Sequence, residues 1–274
     1  MKVFVYDLDK CNGCHNCQIA CKDEHCGNDW SPYALPQPDT GQFWCRVDEE
    51  TVGTAPHVNV NYLPHRCNHC GNAPCMDAAP DAVYRRDDGL VVIDPAKARG
   101  KRDLVAACPY GEIFWNEELQ VAQKCTGCAH LLDDGWKEPR CVDACCTGAL
   151  RFGEEEDFAE ELERAVCLKP ECGTAPRVWY LNLPKRFIAA TLVDIDADEV
   201  VVGAKVTIQN QQTEEVRSLE SDFMGDVVFD KLDPGHWRMW VEKEGYLSQF
   251  FEIDLTEKDK AFPELRFYRD PKAA

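Results

Sequence analysis

The sequence predicts an α+β chain in two parts: a loop-rich N-terminal domain stapled by inorganic clusters, then an all-β C-terminal sandwich. Three observations lead there. Cysteine makes up 17 of 274 residues, far above ordinary usage, and every one lies between Cys11 and Cys172. Composition changes after that point, from Cys/Pro/Gly loops to short runs of β-formers. Turn signals then separate those runs at regular spacing. The expected division is 1–175 for the cluster domain, 176–190 for a linker across Thr174-Ala175-Pro176 and Leu183-Pro184-Lys185, and 191–274 for the sandwich.

In the N-terminal part, short strands are expected at Lys2–Tyr6, Gly89–Ile93 and Ile113–Asn116, and short helices at Cys17–Asp23 and Cys141–Cys145. Long-range periodicity is weak, so this core needs a staple other than packing. In the C-terminal part, Ala204–Gln209, Val227–Phe229, His236–Val241 and Phe250–Ile253 read as strands. Met224-Gly225-Asp226, Asp233-Pro234-Gly235 and Glu244-Gly245-Tyr246 read as turns, the pattern of an antiparallel sandwich.

A formal net charge of −19 argues against binding nucleic-acid phosphates and reads as a solubility surface. No run approaches the roughly 18 apolar residues that span a bilayer. Met1–Asp7 shows neither a signal-peptide apolar stretch nor a twin-arginine pair, so the expectation is a cytoplasmic protein without a membrane segment of its own. Without a secretory signal, metal ligation explains the cysteines better than a disulfide framework.

Spacing identifies the metal. Cys11-x2-Cys14-x2-Cys17-x3-Cys21 is the bacterial-ferredoxin run, in which three thiolates wrap one [4Fe–4S] cubane and the fourth ligates the other cluster of a pair. A zinc knuckle needs only two Cys pairs. Cys125-x2-Cys128-x12-Cys141-x3-Cys145 repeats the pattern with a loop inserted, which costs little. Cys67-x2-Cys70-x4-Cys75 opens another run whose fourth position is Ala79, and Cys108-Pro109 ends a run whose earlier positions are Ala98, Lys101 and Leu104. Crossed ligation sorts these into sets. Cys11, Cys14, Cys17 and Cys145 form the first, Cys125, Cys128, Cys141 and Cys21 the second, and Cys67, Cys70, Cys75 and Cys108 the third. The reciprocal fourth set is Ala79, Ala98, Lys101 and Leu104, and every ligand is missing together. Drift would leave half-sites, so three clusters are expected and the fourth position is expected to be filled by side chains.

Cys26, Cys45, Cys146, Cys167 and Cys172 are left over and read as spectator thiols, with Cys146 one residue from a ligand and Cys167 near enough in sequence to pair with Cys172. His15, His25, His57, His65, His69, His130 and His236 read as polar loop residues or as neighbours of the ligands rather than ligands themselves; His15 and His69, inside cysteine runs, could tune a cluster. Lys10, Lys22, Arg66 and Lys124 flank ligands and are either tuning charges or ordinary surface charges. There is no nucleophilic triad signature, phosphate loop or dinucleotide fingerprint, so no catalytic residue is assigned.

Asp9-Lys10-Cys11-Asn12-Gly13-Cys14, Arg66-Cys67-Asn68-His69-Cys70 and Ala107-Cys108-Pro109-Tyr110-Gly111 resemble the iron–sulfur subunits of the dimethyl sulfoxide reductase family of molybdenum enzymes. The resemblance covers residues 1 to about 175. It implies a ferredoxin-like domain of two pseudo-repeat halves that carries electrons for a large catalytic subunit in a heterodimer, with molybdenum and molybdopterin guanine dinucleotide on that partner. Most members carry four clusters, and here this chain departs. The tail, from Gly203-Ala204-Lys205-Val206 through Glu244-Gly245-Tyr246, resembles a transthyretin-like or Cna-B-like sandwich, which implies docking or solubility rather than catalysis. Competing readings are a respiratory reductase subunit feeding a membrane anchor and a module with purely structural clusters.

Overall fold

Val3, Phe4, Val5 and Tyr6 are apolar in unbroken succession, the pattern of a strand covered on both faces. The strand they form, Lys2–Asp7, is the middle of a three-stranded sheet: Leu150–Glu154 pairs with it antiparallel and Val178–Leu181 parallel. Its side chains alternate. Val3 and Val5 pack with Leu181, Phe158 and Leu162, whereas Phe4 and Tyr6 face a core containing Cys21, Cys45, Cys67, Cys125 and Cys141. The sheet is the floor on which these thiols stand.

The structure is a computed structural model and describes residues 1–272. It divides into two units, one of Met1–Glu49 and Tyr62–Leu183, the other of Glu50–Asn61 and the chain from Pro184 onward. In the first unit, Val83–Arg85 and Val91–Ile93 form one antiparallel hairpin, and Phe114–Asn116 and Val121–Gln123 another. Helices Asn16–His25 and Arg140–Asp143 fall where the cysteine runs placed them. Among the described residues no helix is long and apolar enough to cross a membrane.

Two stretches differ from expectation. The linker placed at 176–190 contains strand at both ends: Val178–Leu181 closes the first unit's sheet and Arg186–Asp194 opens the second unit, with four residues between them. The prolines at 176 and 184 suggested loop, but neither interrupts the buried positions Val178, Tyr180 and Ile188. A hairpin of Cys45–Thr54 and His57–Arg66 was also unforeseen. Its far end is too polar to show an alternating pattern, and it is counted with the second unit.

The second unit has two four-stranded sheets. Arg186–Asp194 pairs antiparallel with Glu199–Val200 and Asp226–Leu232, and parallel with Lys260–Phe267. The other sheet runs Val216–Glu220, Lys205–Asn210, His236–Glu242, Gln249–Asp254, antiparallel throughout. Alternate residues of both, among them Ile188, Leu192, Ile208, Phe229, Trp237 and Met239, share one buried core.

Gly225 shows how tight that unit's turns are. Its φ is +77°, and a Cβ there would lie 2.8 Å from the Leu192 carbonyl oxygen and 2.9 Å from Val200 Cβ. Gly225→Ala is expected to cost about 1–3 kcal/mol, read as a lower unfolding temperature of the full chain with its iron content unchanged.

Candidate metal centre

Local structure places the ligands before tertiary packing joins them. Helix Asn16–His25 sets Cys17 and Cys21 one turn apart on the same side. Arg140–Asp143 carries Cys141, and Cys145 follows its end. Pro74 starts the short helix that carries Cys75. The first Cys-x2-Cys loop of each run has a left-handed residue just before its second cysteine. Gly13 and Gly127 supply it at φ +66° and +65°, but His69 supplies it at +43°. With a Cβ, His69 is strained there. A bond from the Val91 amide to its Nδ1, 3.1 Å long, helps hold it. Since Nδ1 accepts, the neutral ring carries its proton on Nε2, a buried atom with no partner in the protein.

The fold brings the distant cysteines together. Cys67, Cys70, Cys75 and Cys108 line a single cavity, which His69, Tyr110 and Lys124 also border. Cys21 lies within electrostatic range of Cys125, Cys128 and Cys141. Cys11 lies within range of Cys14 and Cys145, and Cys17 lies within range of both Cys141 and Cys11, so the first two sets adjoin. Amides point at the sulfurs: Gly127 N–H to Cys125 Sγ at 3.3 Å, Leu150 N–H to Cys145 Sγ at 3.3 Å, Glu112 N–H to Cys108 Sγ at 3.4 Å and His69 N–H to Cys67 Sγ at 3.5 Å. Such donors suit anionic sulfur. Burial pushes the thiols of Cys70 and Cys125 up to about 11, so ligation there must displace protons. Among the described residues no three His, Cys, Asp or Glu side chains converge closely enough to hold a single ion. A cubane asks for something else, since each thiolate takes a different corner of an inorganic core. With N–H donors left over around them, these three sets of four fit that group.

The fourth set is core. Ala79, Ala98 and Leu104 are buried with Ile113, Val121 and Ala122 in a cluster that also takes in Cys70 and Cys75. Lys101 turns outward to Asp81 at 2.7 Å.

Several flanking residues differ from their sequence reading. A surface role suits Lys10, paired with Asp7 at 3.4 Å, and Lys22, bonded to the carbonyls of Pro38 and Gly41. It does not suit Arg66 or Lys124, which are each 2 % exposed. Cys45, expected as a spectator, is buried with Arg66 Nη2 3.1 Å from its sulfur, and it lies beside Cys17 and Cys141. Its isolation from every run hid it. Of the two readings for His25, the neighbour of a ligand fits: its Nε2 is 3.8 Å from Cys128 Sγ, and burial pushes its pKa down to about 3, leaving the ring neutral. His15, His65, His130 and His236 meet the carboxylates of Glu49, Asp48, Glu24 and Asp254, and His57 meets the Thr191 hydroxyl. Cys146 is exposed, 4.0 Å from Cys14 Sγ. Cys26 bonds Asp39, and Cys167 and Cys172 are both free thiols.

Residues 58–155 match the family model of a 4Fe-4S dicluster domain, and 188–264 match that of a carboxypeptidase regulatory-like domain. The chain is 43% identical over 273 residues to the pyrogallol hydroxytransferase small subunit of Pelobacter acidigallici, covering 95% of this chain and 98% of that one. It is 37% identical over 196 residues to a tetrathionate reductase subunit of Salmonella typhimurium, covering 67% and 73%. To the arsenate respiratory reductase iron–sulfur subunit of a Shewanella species it is 31% identical over 233 residues, covering 65% and 94%.

Two substitutions probe the fourth set. Leu104→Ala is expected to destabilise the chain by about 2–5 kcal/mol, as a core truncation does, and Lys101→Ala by less than about 1 kcal/mol. Neither is expected to change the iron content. Loss of metal from Lys101→Ala, measured by colorimetric iron assay, would show that the position still serves a cluster.

Proposed function

We propose that this chain, which belongs to the iron–sulfur subunits of the dimethyl sulfoxide reductase family of molybdoenzymes, holds three [4Fe–4S] clusters and exchanges electrons with a molybdopterin catalytic subunit of the pyrogallol–phloroglucinol transhydroxylase kind. The observation that supports this reading is that Cys67, Cys70, Cys75 and Cys108 border one cavity and Cys21 lies near Cys125, Cys128 and Cys141, while the positions of a further set hold Ala79, Ala98, Leu104 and an outward-turned lysine. The similarity over 95% of the chain supports the particular branch, because it takes in the C-terminal β unit as well.

When bound, the clusters supply one-electron exchange. The chain's own residues do the rest. Twelve thiolates hold iron, amide N–H groups and buried cations meet the negative charge, and Phe4, Tyr6, Leu90 and Val91 exclude water. In this reading the active site, with molybdenum and molybdopterin guanine dinucleotide, is on the large subunit of a heterodimer. Hydroxyl transfer between trihydroxybenzenes has no net electron demand, so the clusters set or restore the metal's oxidation state. In this reading the complex works in the cytoplasm, where reduced thiols favour cluster assembly over disulfides. A respiratory reductase role draws support from the tetrathionate and arsenate reductase relatives, but the filled fourth position weighs against it.

Anaerobically purified complex is expected to contain about 12 iron atoms per copy of this chain and no zinc, and to give three reducible paramagnetic signals. Cys108→Ala is expected to lower the count to about 8 and to remove one signal. Collapse of all three signals in that variant would refute the ligand sets; about 16 iron atoms in the parent would refute the count.

A further inference from the structure

Four residues stand directly before the first position of a cysteine run or of its lost counterpart, and all four are basic: Lys10, Arg66, Lys97 and Lys124. They behave as two pairs. Lys10 and Lys97 are exposed, and each turns back to the aspartate three residues before it, Asp7 at 3.4 Å and Asp94 at 3.2 Å. Arg66 and Lys124 are buried, and each crosses to the other's run. Arg66 precedes Cys67 of the third set, yet its Nη2 lies 3.0 Å from Cys141 Sγ of the second. It is held there by Nε donating to the Tyr6 hydroxyl at 2.8 Å and by the Phe4 ring, 4.1 Å from the guanidinium carbon. Lys124 precedes Cys125 of the second set, yet its side chain lines the cavity of Cys67, Cys70, Cys75 and Cys108. Its ammonium donates to the carbonyls of Val91 and Cys125, leaving a third proton.

We propose that Arg66 and Lys124 are positioning residues that bridge the second and third cluster sets, so that each cation acts on the potentials of two clusters at once. This rests on the three-cluster reading above. Two carbonyl acceptors, on Val91 and Cys125, suit Lys124 as an ammonium donor. Arg66 stays charged in any case, and both N–H bonds of its buried Nη1 have no protein partner. An electron moving between the sets oxidises one cluster and reduces its neighbour, and both cations keep all their protons. A fixed cation favours the more negative, reduced state, so it raises the potential of each cluster within reach.

The test is a redox titration of the whole complex followed by electron paramagnetic resonance, with iron counted in each sample and Cys108→Ala used to assign the third set's signal. Lys124→Gln is expected to lower the midpoints of both the second and third clusters, each by at least tenfold in the reduced-to-oxidised ratio at fixed potential, about 59 mV for one electron. Lys124→Arg and Arg66→Lys are expected to stay near the parent values, and Lys10→Gln to shift neither midpoint. A fully loaded Lys124→Gln with unmoved midpoints, or with only one moved, overturns the bridge. If the neutral variant binds less iron, the loss is expected in the second and third sets with the first set's signal intact; even loss across all three also overturns it. Iron far below about 12 per chain in the unaltered complex refutes the cluster reading instead.

Discussion

Anionic sulfur in a poorly solvating interior is the constraint on which the first unit depends. A cubane with four thiolates is a dianion when oxidised and a trianion when reduced, and the fold supplies little water to answer that charge. What answers it is amide N–H groups at Gly127, Leu150, Glu112 and His69, and two cations withdrawn from the surface of a chain whose net charge is −19. A buried cation stripped of its partner costs about 3–5 kcal/mol. Arg66 and Lys124 therefore belong to the same unit of stability as the thiolates they face, and neither half of that arrangement makes sense alone.

Legibility followed the period of each signal. Cysteine spacing is a short-range grammar, and crossed ligation, as a rule about sequence order, names candidate sets such as Cys67/Cys70/Cys75/Cys108, whose thiols border one cavity. Isolated residues had no grammar. Cys45 sits on a strand far from every run, and His25 at the end of a helix whose spacing announces only Cys17 and Cys21. Strand Val178–Leu181 went unread because four residues are too few to show alternation, and because its pairing partner, Lys2–Asp7, lies at the other end of the chain. Residue type misled once more at His69: a histidine where the equivalent loops have glycine looks like a substitution on a polar loop, and only the backbone angle and the Val91 bond show that it is locked in place.

The second unit needs none of this chemistry. Its core is ordinary sheet-on-sheet packing around Trp237, Met239, Ile208 and Phe229, and its turn residues were readable because glycine and proline mark turns in any context. One chain thus contains two different answers to the same problem, holding short segments together with few helices. The first joins them through inorganic cores and the second through interleaved apolar side chains.

The apolar plug of Ala79, Ala98 and Leu104 shares its core with Cys70 and Cys75. In the three-cluster reading proposed above, charge reaching the third set would meet hydrocarbon on that side, where a further carrier would otherwise stand. Such a chain would act as a capacitor more than as a cable, lending charge and taking it back.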